Sequence, residues 1–333
     1  EQVTELNFLN AIEKLYEQEK VSLVPKHMSN LSRMFCVGIG HKIIRILIKV
    51  FSSFKYQTFT CNNIKVFSNL QDAEARQVYI KNHFEDYGYF SLSKYFLTSG
   101  GIHFDIGANY GFQTFGMIER FANDQVKYFL IEPNLDCHHC HIKTLELNPN
   151  IHIQSYKEAF YSYEGEAHFQ YCRENSGGGS VFKSLKFAKI DKNTLEEHSY
   201  KIKCTTLDAF LIEKQIDSVD LMKIDVEGSE FDLLCGAQSS LSDGKIKAAY
   251  IEINSEALKD HEQTPSQIFK LLEKFNYKLF FPHANGKTGT EVLKLNKKKL
   301  SLSKLDKEDI INRSKFSHTL LDILAIHPSI IKD

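Results

Sequence analysis

His103-Phe104-Asp105-Ile106-Gly107-Ala108-Asn109-Tyr110-Gly111 is the stretch that decides how this chain folds. A short apolar run carries an acid, a Gly-x-x-x-Gly turn follows, and a helical pattern begins at Phe112. At the carboxyl end of a first parallel strand, a turn that brings backbone close to a ligand favours glycine. The helix behind it presents free N–H groups to the same place. Asp105, Gly107, Asn109 and Gly111 are therefore candidate ligand-binding positions. Asp105 is suited to accept from an ammonium or from the loop itself.

The rhythm on either side agrees. From Ile102 onward short apolar runs alternate with helical patterns. Strands are expected at residues 102–106, 126–131, 151–155, 219–224, 247–253, 277–281 and 320–326. Helices are expected at 112–121, 134–147, 229–237 and 265–275. Such alternation builds parallel βαβ units and a doubly wound, Rossmann-like α/β sheet. Residues 156–171, with a turn at Glu164-Gly165, read as an inserted antiparallel hairpin.

The turn departs from the dinucleotide fingerprint G-x-G-x-x-G. Asn109 stands where the second glycine meets a pyrophosphate, which disfavours a dehydrogenase. A ligand with an amino-acid end and no pyrophosphate fits better, and S-adenosylmethionine is one. Glu132 closes the next strand in Leu130-Ile131-Glu132-Pro133-Asn134, placed to accept from ribose hydroxyls.

The second dense cluster is Asp220-Leu221-Met222-Lys223-Ile224-Asp225-Val226-Glu227-Gly228-Ser229-Glu230. An apolar strand delivers Asp225 to its carboxyl end, and Ser229 reads as the N-cap of the following helix. Glu252 lies near the end of the next strand, with Asn254 beyond it. Asp225, Glu227 and Glu252 are thus expected at one cleft, as a base for an acceptor hydroxyl. Two alternatives use the same acids. Three carboxylates can hold Mg²⁺, and Glu227 with Glu230 can simply complement a helix start.

Taken together, these residues resemble the FkbM-type methyltransferases. The resemblance runs from about Tyr87 to Ile326. It rests on Asp105 to Gly111, on Glu132-Pro133-Asn134, on Thr205-Thr206-Leu207-Asp208, and above all on Lys223 to Glu230. It implies the class I methyltransferase fold, a mostly parallel sheet of seven strands with the last antiparallel. It implies S-adenosylmethionine as methyl donor, with Glu158 and Ala159 near the adenine. It implies a hydroxyl acceptor in most members, commonly a sugar of a glycan or of a glycosylated small molecule. Some relatives methylate peptide or protein nitrogen. A non-catalytic S-adenosylmethionine-binding protein is the remaining class.

Composition sets outer bounds. With 41 basic and 42 acidic residues the net charge is −1, which leaves no electrostatic footprint for nucleic acid. No apolar run is long enough to span a bilayer. Seven cysteines at irregular spacing read as thiols of a reducing, cytoplasmic setting. Residues 1–86 form a mainly helical extension or cap ahead of a catalytic domain at 87–333. Within the extension, Leu6, Leu9, Ile12 and Tyr16 recur at helical spacing. Residues 41–54 make a basic amphipathic helix, for which packing on its own domain is the first reading and peripheral membrane contact the second. A hairpin is expected at 56–67 with Asn62-Asn63 as its turn, and helices at 72–82 and 90–98. The basic clusters at 183–192 and 294–304 read as solvated surface. Oligomerisation is left open.

Three lesser features complete the survey. Cys137-His138-His139-Cys140-His141 has zinc-ligand chemistry, but on one helix its side chains point several ways, so no metal site is assigned. Asn175-Ser176-Gly177-Gly178-Gly179-Ser180 reads as a loop, either a lid or a connector. His103 shares a strand face with Asp105 and is expected to pack.

Overall fold

The computed structural model describes residues 30–84, 87–121, 125–172, 174–182, 197–282, 289–295 and 298–332. The helical stretch at 6–16 and the basic cluster at 183–192 lie outside these residues.

The chain opens with helix α1 (Asn30–Val50) and a hairpin of β1 (Tyr56–Cys61) and β2 (Ile64–Asn69). Asn62 takes the left-handed conformation that the turn requires, φ 53°. Helices α2 (Ala73–Lys81) and α3 (Tyr87–Ser93) follow. Then come β3 (Ile102–Ile106), α4 (Phe112–Phe121), β4 (Lys127–Ile131), α5 (Leu135–Leu147) and β5 (Ile153–Tyr156). A second, four-stranded sheet is built from β6 (Ala159–Phe160), β7 (Gly165–Cys172), β8 (Asn175–Phe182) and β9 (Glu197–Thr205). Helix α6 (Leu207–Glu213) returns to the main sheet at β10 (Leu221–Ile224). Helices α7 (Glu230–Cys235) and α8 (Gln238–Ser242), strand β11 (Ala248–Asn254), and helices α9 (Ser255–Asp260) and α10 (Pro265–Lys274) come next. The chain finishes with β12 (Lys278–Phe281), β13 (Thr290–Leu295), β14 (Lys298–Lys304), α11 (Lys307–Phe316), β15 (Leu320–Ile326) and β16 (Ile331–Lys332).

The main sheet runs β16-β13-β14-β12-β15-β11-β10-β3-β4-β5. It therefore has ten strands, and the expectation of seven is corrected. Its seven-strand portion, β5 to β12, carries β15 antiparallel between β11 and β12, as expected of 320–326. The other three strands extend one edge. The described residues of the basic stretch at 294–304 belong to this extension. Leu293, Leu295, Leu300 and Leu302 alternate inward, and the lysines between them point out. Because every pairing beyond β11 is antiparallel, the whole sheet is mixed rather than mostly parallel.

Period-two alternation splits the strand side chains between two cores. Phe104, Ile106, Met222, Ile224 and Ile251 face a cluster with Leu233, Leu234, Ile268 and Phe269. Tyr128, Leu221, Tyr250 and Leu324 face the other, with Tyr89, Phe90 and Phe115. Ile44, Cys61, Val66, Leu70, Val78 and Ile80 of the N-terminal segment belong to that same second core. The hairpin is tied to α5 by hydrogen bonds from Tyr56 and Asn69 to Asp136 and from the Phe67 N–H to Thr144. His103 packs as expected, buried, with Nε2 2.7 Å from the Tyr89 hydroxyl.

The hairpin expected within 156–171 does not form. Strand β7 pairs instead with β8 on one side and β9 on the other, and β6 lies parallel to β9. Residues 175–180, read as a loop, are the body of a strand. No helix among the described residues is long and apolar enough to cross a membrane.

Candidate active site

The strand order reverses between β3, which leads to β4 and β5, and β10, which leads to β11. Doubly wound sheets hold their ligands beyond the carboxyl ends of strands at such a reversal. A cavity of about 300 Å³ opens there.

The turn after β3 forms one wall. Gly107, Asn109 and Gly111 all have positive φ, at 75°, 49° and 76°. The reason for glycine at 107 differs from the one expected. A Cβ there would lie 1.7 Å from the Asp225 carbonyl oxygen, so the glycine lets two loops touch each other. The N–H groups of Gly107 and Ala108 both donate to the Ile131 carbonyl. That of Asn109 donates to Glu132 Oε2 at 2.7 Å, and Asn134 N–H donates to Oε1 at 2.7 Å. Glu132 thus clamps both loops while lining the cavity. Burial pushes its carboxyl up to about 7 against those two hydrogen bonds.

Asn109 holds the turn's centre. Its carbonyl lies 2.6 Å from His141 Nε2, whose other nitrogen is 2.9 Å from the Ser155 hydroxyl. Burial drives His141 down to about 3, so the ring is neutral. Nε2 must then carry the proton, because a carbonyl can only accept. The Asn109 side chain takes hydrogen bonds from Ser176 and Cys137 and donates to Glu74. Cys137, Cys140 and His141 are buried in α5, and Cys137 and His141 are both engaged by Asn109.

The opposite wall comes from β10 and β11. Lys223 and Asp105 are paired in register across β10 and β3 and face the same side. Lys223 is buried, with Nζ 2.8 Å from Asp225 Oδ2 and 3.8 Å from Asp105 Oδ1. Burial alone would lower the ammonium, but Asp225 and Asp105 outweigh it and hold it above its usual range. Asp105 itself is 1% exposed and accepts from the Thr114 hydroxyl at 2.7 Å. It lies beneath the cavity and not on its surface.

Asp225, Glu227 and Glu252 do meet. Carboxylate oxygens of the three lie within 4.8 Å of one another on the cavity wall. Glu227 takes a left-handed backbone, φ 51°, and accepts from Asn254 Nδ2 at 3.1 Å. Burial and the Asp225 charge push Glu227 up to about 7 and raise Glu252 as well. Glu230, by contrast, turns inward and accepts from the N–H groups of Val226 and Gly228. It supports the loop, while Glu227 faces the cavity. Ser229 makes no side-chain cap; its hydroxyl donates to the Val226 carbonyl.

Glu158 and Ala159 line the far end, and Glu158 pairs with Lys203 at 2.9 Å. Sequence reasoning missed two contributors, Lys223 and Glu74, and left the glycine-rich stretch at 175–180 open between lid and connector. The motif around Lys223 assigns it no role, although a lysine inside the apolar run Leu221–Ile224 signals a buried, paired charge. Strand β8 supplies Ser176, Gly177, Gly178 and Gly179. Glu74 reaches in from α2, and nothing near it in the sequence announces a site.

The chemistry of this lining is one-sided. Glu74, Glu132, Glu158, Asp225, Glu227 and Glu252 line the cavity with one cation, Lys223, among the described lining residues, and Lys203 pairs with Glu158 from outside the lining. The turn's first N–H groups, which a pyrophosphate would need, are already spent on Ile131 and Glu132. Such a cavity suits a cationic ligand with hydroxyls, as a sulfonium nucleoside is, and repels a diphosphate.

The methyltransferase FkbM domain model matches residues 105–279, more than half of the chain. No curated protein matches it significantly in sequence. Among solved structures, the methyltransferase FkbM from Methylobacillus flagellatus KT is 14% identical with a TM-score of 0.37. The match covers 69% of this chain and 44% of that one, so this chain spans less than half of its length. TYW2 from M. jannaschii, solved in complex with AdoMet, is 10% identical over 82% of this chain and 87% of that one, with a TM-score of 0.34. Precorrin-6y C5,15-methyltransferase from Geobacter metallireducens GS-15 is 11% identical over 72% and 86%, with a TM-score of 0.33.

Proposed function

The chain belongs to the FkbM methyltransferase family and is an S-adenosylmethionine-dependent methyltransferase, and from that premise we propose that it methylates a sugar hydroxyl of a glycan or glycosylated small molecule. The grouping of Asp225, Glu227 and Glu252 on one wall carries the reading. S-adenosylmethionine supplies an electrophilic methyl group on a sulfonium. Glu132 is the group for its ribose hydroxyls, having one oxygen on each loop and lone pairs to spare. Asn109 and the turn at Gly107 and Gly111 shape the wall beside it, and Glu158 with Ala159 bound the adenine end.

A hydroxyl acceptor must lose its proton as the new bond forms. Asp225 is ion-paired to Lys223 at 2.8 Å, which occupies the carboxylate as a fixed partner. Glu252 and Glu227, raised toward neutrality, are better placed to take the proton. In this reading Asp225 and Lys223 hold position and Glu252 is the base. A divalent cation would find three oxygen ligands in the same trio but would compete with Lys223 for Asp225, so chelator in the assay separates the two modes.

The deciding experiment is transfer of labelled methyl from S-adenosylmethionine to two acceptor panels, glycans and peptides. Transfer to glycans supports the proposal. Transfer to peptide nitrogen and never to glycan would sink it in favour of the N-methyltransferase reading, and donor binding without turnover on either panel would point to a non-catalytic role.

Helix α1 bears on where such an acceptor is met. Ile44 and Leu47 pack inward, while Ile39, Ile46 and Val50 form an exposed stripe at helical spacing beside exposed Lys42 and Lys49. An apolar stripe edged with lysines matches an anionic membrane surface. We propose peripheral contact of a cytoplasmic enzyme through this stripe. Co-sedimentation with anionic vesicles, lost in Ile46→Asp and absent with neutral vesicles, is the expected result; equal recovery with both kinds overturns it.

A further inference from the structure

We propose that Glu74, from the N-terminal segment outside the matched family region, supplies the carboxylate that holds the α-amino group of the methyl donor. The inference rests on S-adenosylmethionine being that donor. Its amino-acid end carries an ammonium, which needs an acceptor facing the cavity near the glycine turn. Asp105, the acid that sequence position points to, is spent elsewhere. It lies under the wall, with one oxygen on Thr114 and the other toward Lys223.

Glu74 meets the requirement. It lines the cavity, and its carboxylate accepts from Asn109 Nδ2 at the centre of the turn. It remains reachable by solvent through the opening although protein surrounds it. Burial and neighbouring Asp72 push its carboxyl up to about 8, a setting in which an incoming cation is favoured.

The position is also fixed. Glu74 is the second residue of α2, where side chains lean back toward the helix start. Asp72 caps that start through the N–H groups of Glu74 and Ala75, and its other oxygen accepts from Ser176 N–H at 2.7 Å. The Ala73 N–H donates to the Glu174 carbonyl. One buried aspartate therefore locks α2 to strand β8, whose glycines 177–179 line the same cavity.

The test compares two ligands by calorimetry. S-adenosylhomocysteine has the amino-acid end; methylthioadenosine keeps the nucleoside and thioether and lacks the ammonium. Glu74→Gln is expected to weaken S-adenosylhomocysteine roughly tenfold or more, the loss of a hydrogen bond between charges. It should leave methylthioadenosine within about twofold. Equal weakening of both ligands would show that Glu74 only shapes the wall, and no weakening of either would remove it from the site. Wild-type protein that is folded and binds neither compound would overturn the donor reading itself.

Discussion

Gly107→Ala probes the contact between the two loops, and Gly100→Ala is its control. The two glycines have nearly the same positive φ, 75° and 79°. Around Gly100 an added Cβ meets nothing within 4 Å; at Gly107 it would sit 1.7 Å from the Asp225 carbonyl oxygen. Gly100→Ala thus carries only the conformational cost of a left-handed alanine, about 1–2 kcal/mol. For a chain of this size that is a fall of a few degrees in Tm, with turnover intact. Gly107→Ala carries the same cost, and the loops must also part by more than about 1 Å. A displacement of that size at a reacting centre costs on the order of 100-fold in rate. Thermal unfolding by circular dichroism and methyl-transfer kinetics on both variants make the comparison. The reasoning fails if Gly107→Ala loses no more Tm than Gly100→Ala and keeps its turnover.

Three further outcomes are expected. Lys223→Met leaves Asp105 buried beside Asp225 without their shared cation, and should cost about 3–5 kcal/mol in urea unfolding; a loss under about 1 kcal/mol would contradict the ion pairing described. Glu132, Glu227 and Glu230 titrate at about 7 and Glu74 at about 8 when folded, against 4.5 ordinarily, so above pH 6.5 the folded state holds protons that the unfolded state has released. Below that pH, His103 and His141, held at about 3, act in the opposite direction. Stability without ligand should therefore fall between pH 6.5 and 8 while turnover rises as the base ionises, and stability that rises over this window would refute the assignment. Cys137 and Cys140, buried and with thiols pushed up by desolvation, should resist a thiol reagent until the protein unfolds, and metal analysis should find no stoichiometric zinc.

The elements that sequence made legible are those whose residues answer only to local rules. Asp105 to Gly111 and Asp220 to Glu230 each join a strand, a turn and a helix within a dozen residues, and both lie where expected. Leu320–Ile326 was readable as a strand, and its antiparallel direction came only from the family resemblance. What escaped depends on distant partners. Gly179 reads as loop, yet it is strand because Phe169 lies across it; an added Cβ would come within 2.6 Å of that ring. The stretch at 294–304 reads as a charged surface because Lys294, Lys298, Lys299 and Lys304 point outward, and the leucines between them gain meaning only beside β12. Glu74 shows no local signal, since its role comes from Asp72 gripping strand β8, a hundred residues later in the chain.

That grip has a consequence for synthesis. The cavity is lined by Glu74, Asn109, Glu132, Ser176, Lys223 and Glu252 together, so no fragment that stops short of β11 holds the whole of the proposed donor pocket. A chain emerging from the ribosome cannot load its donor until β11 has appeared. Occupancy then reports completion: donor at a hundred times its Kd adds about 2.7 kcal/mol to the assembled state and nothing to the partial ones.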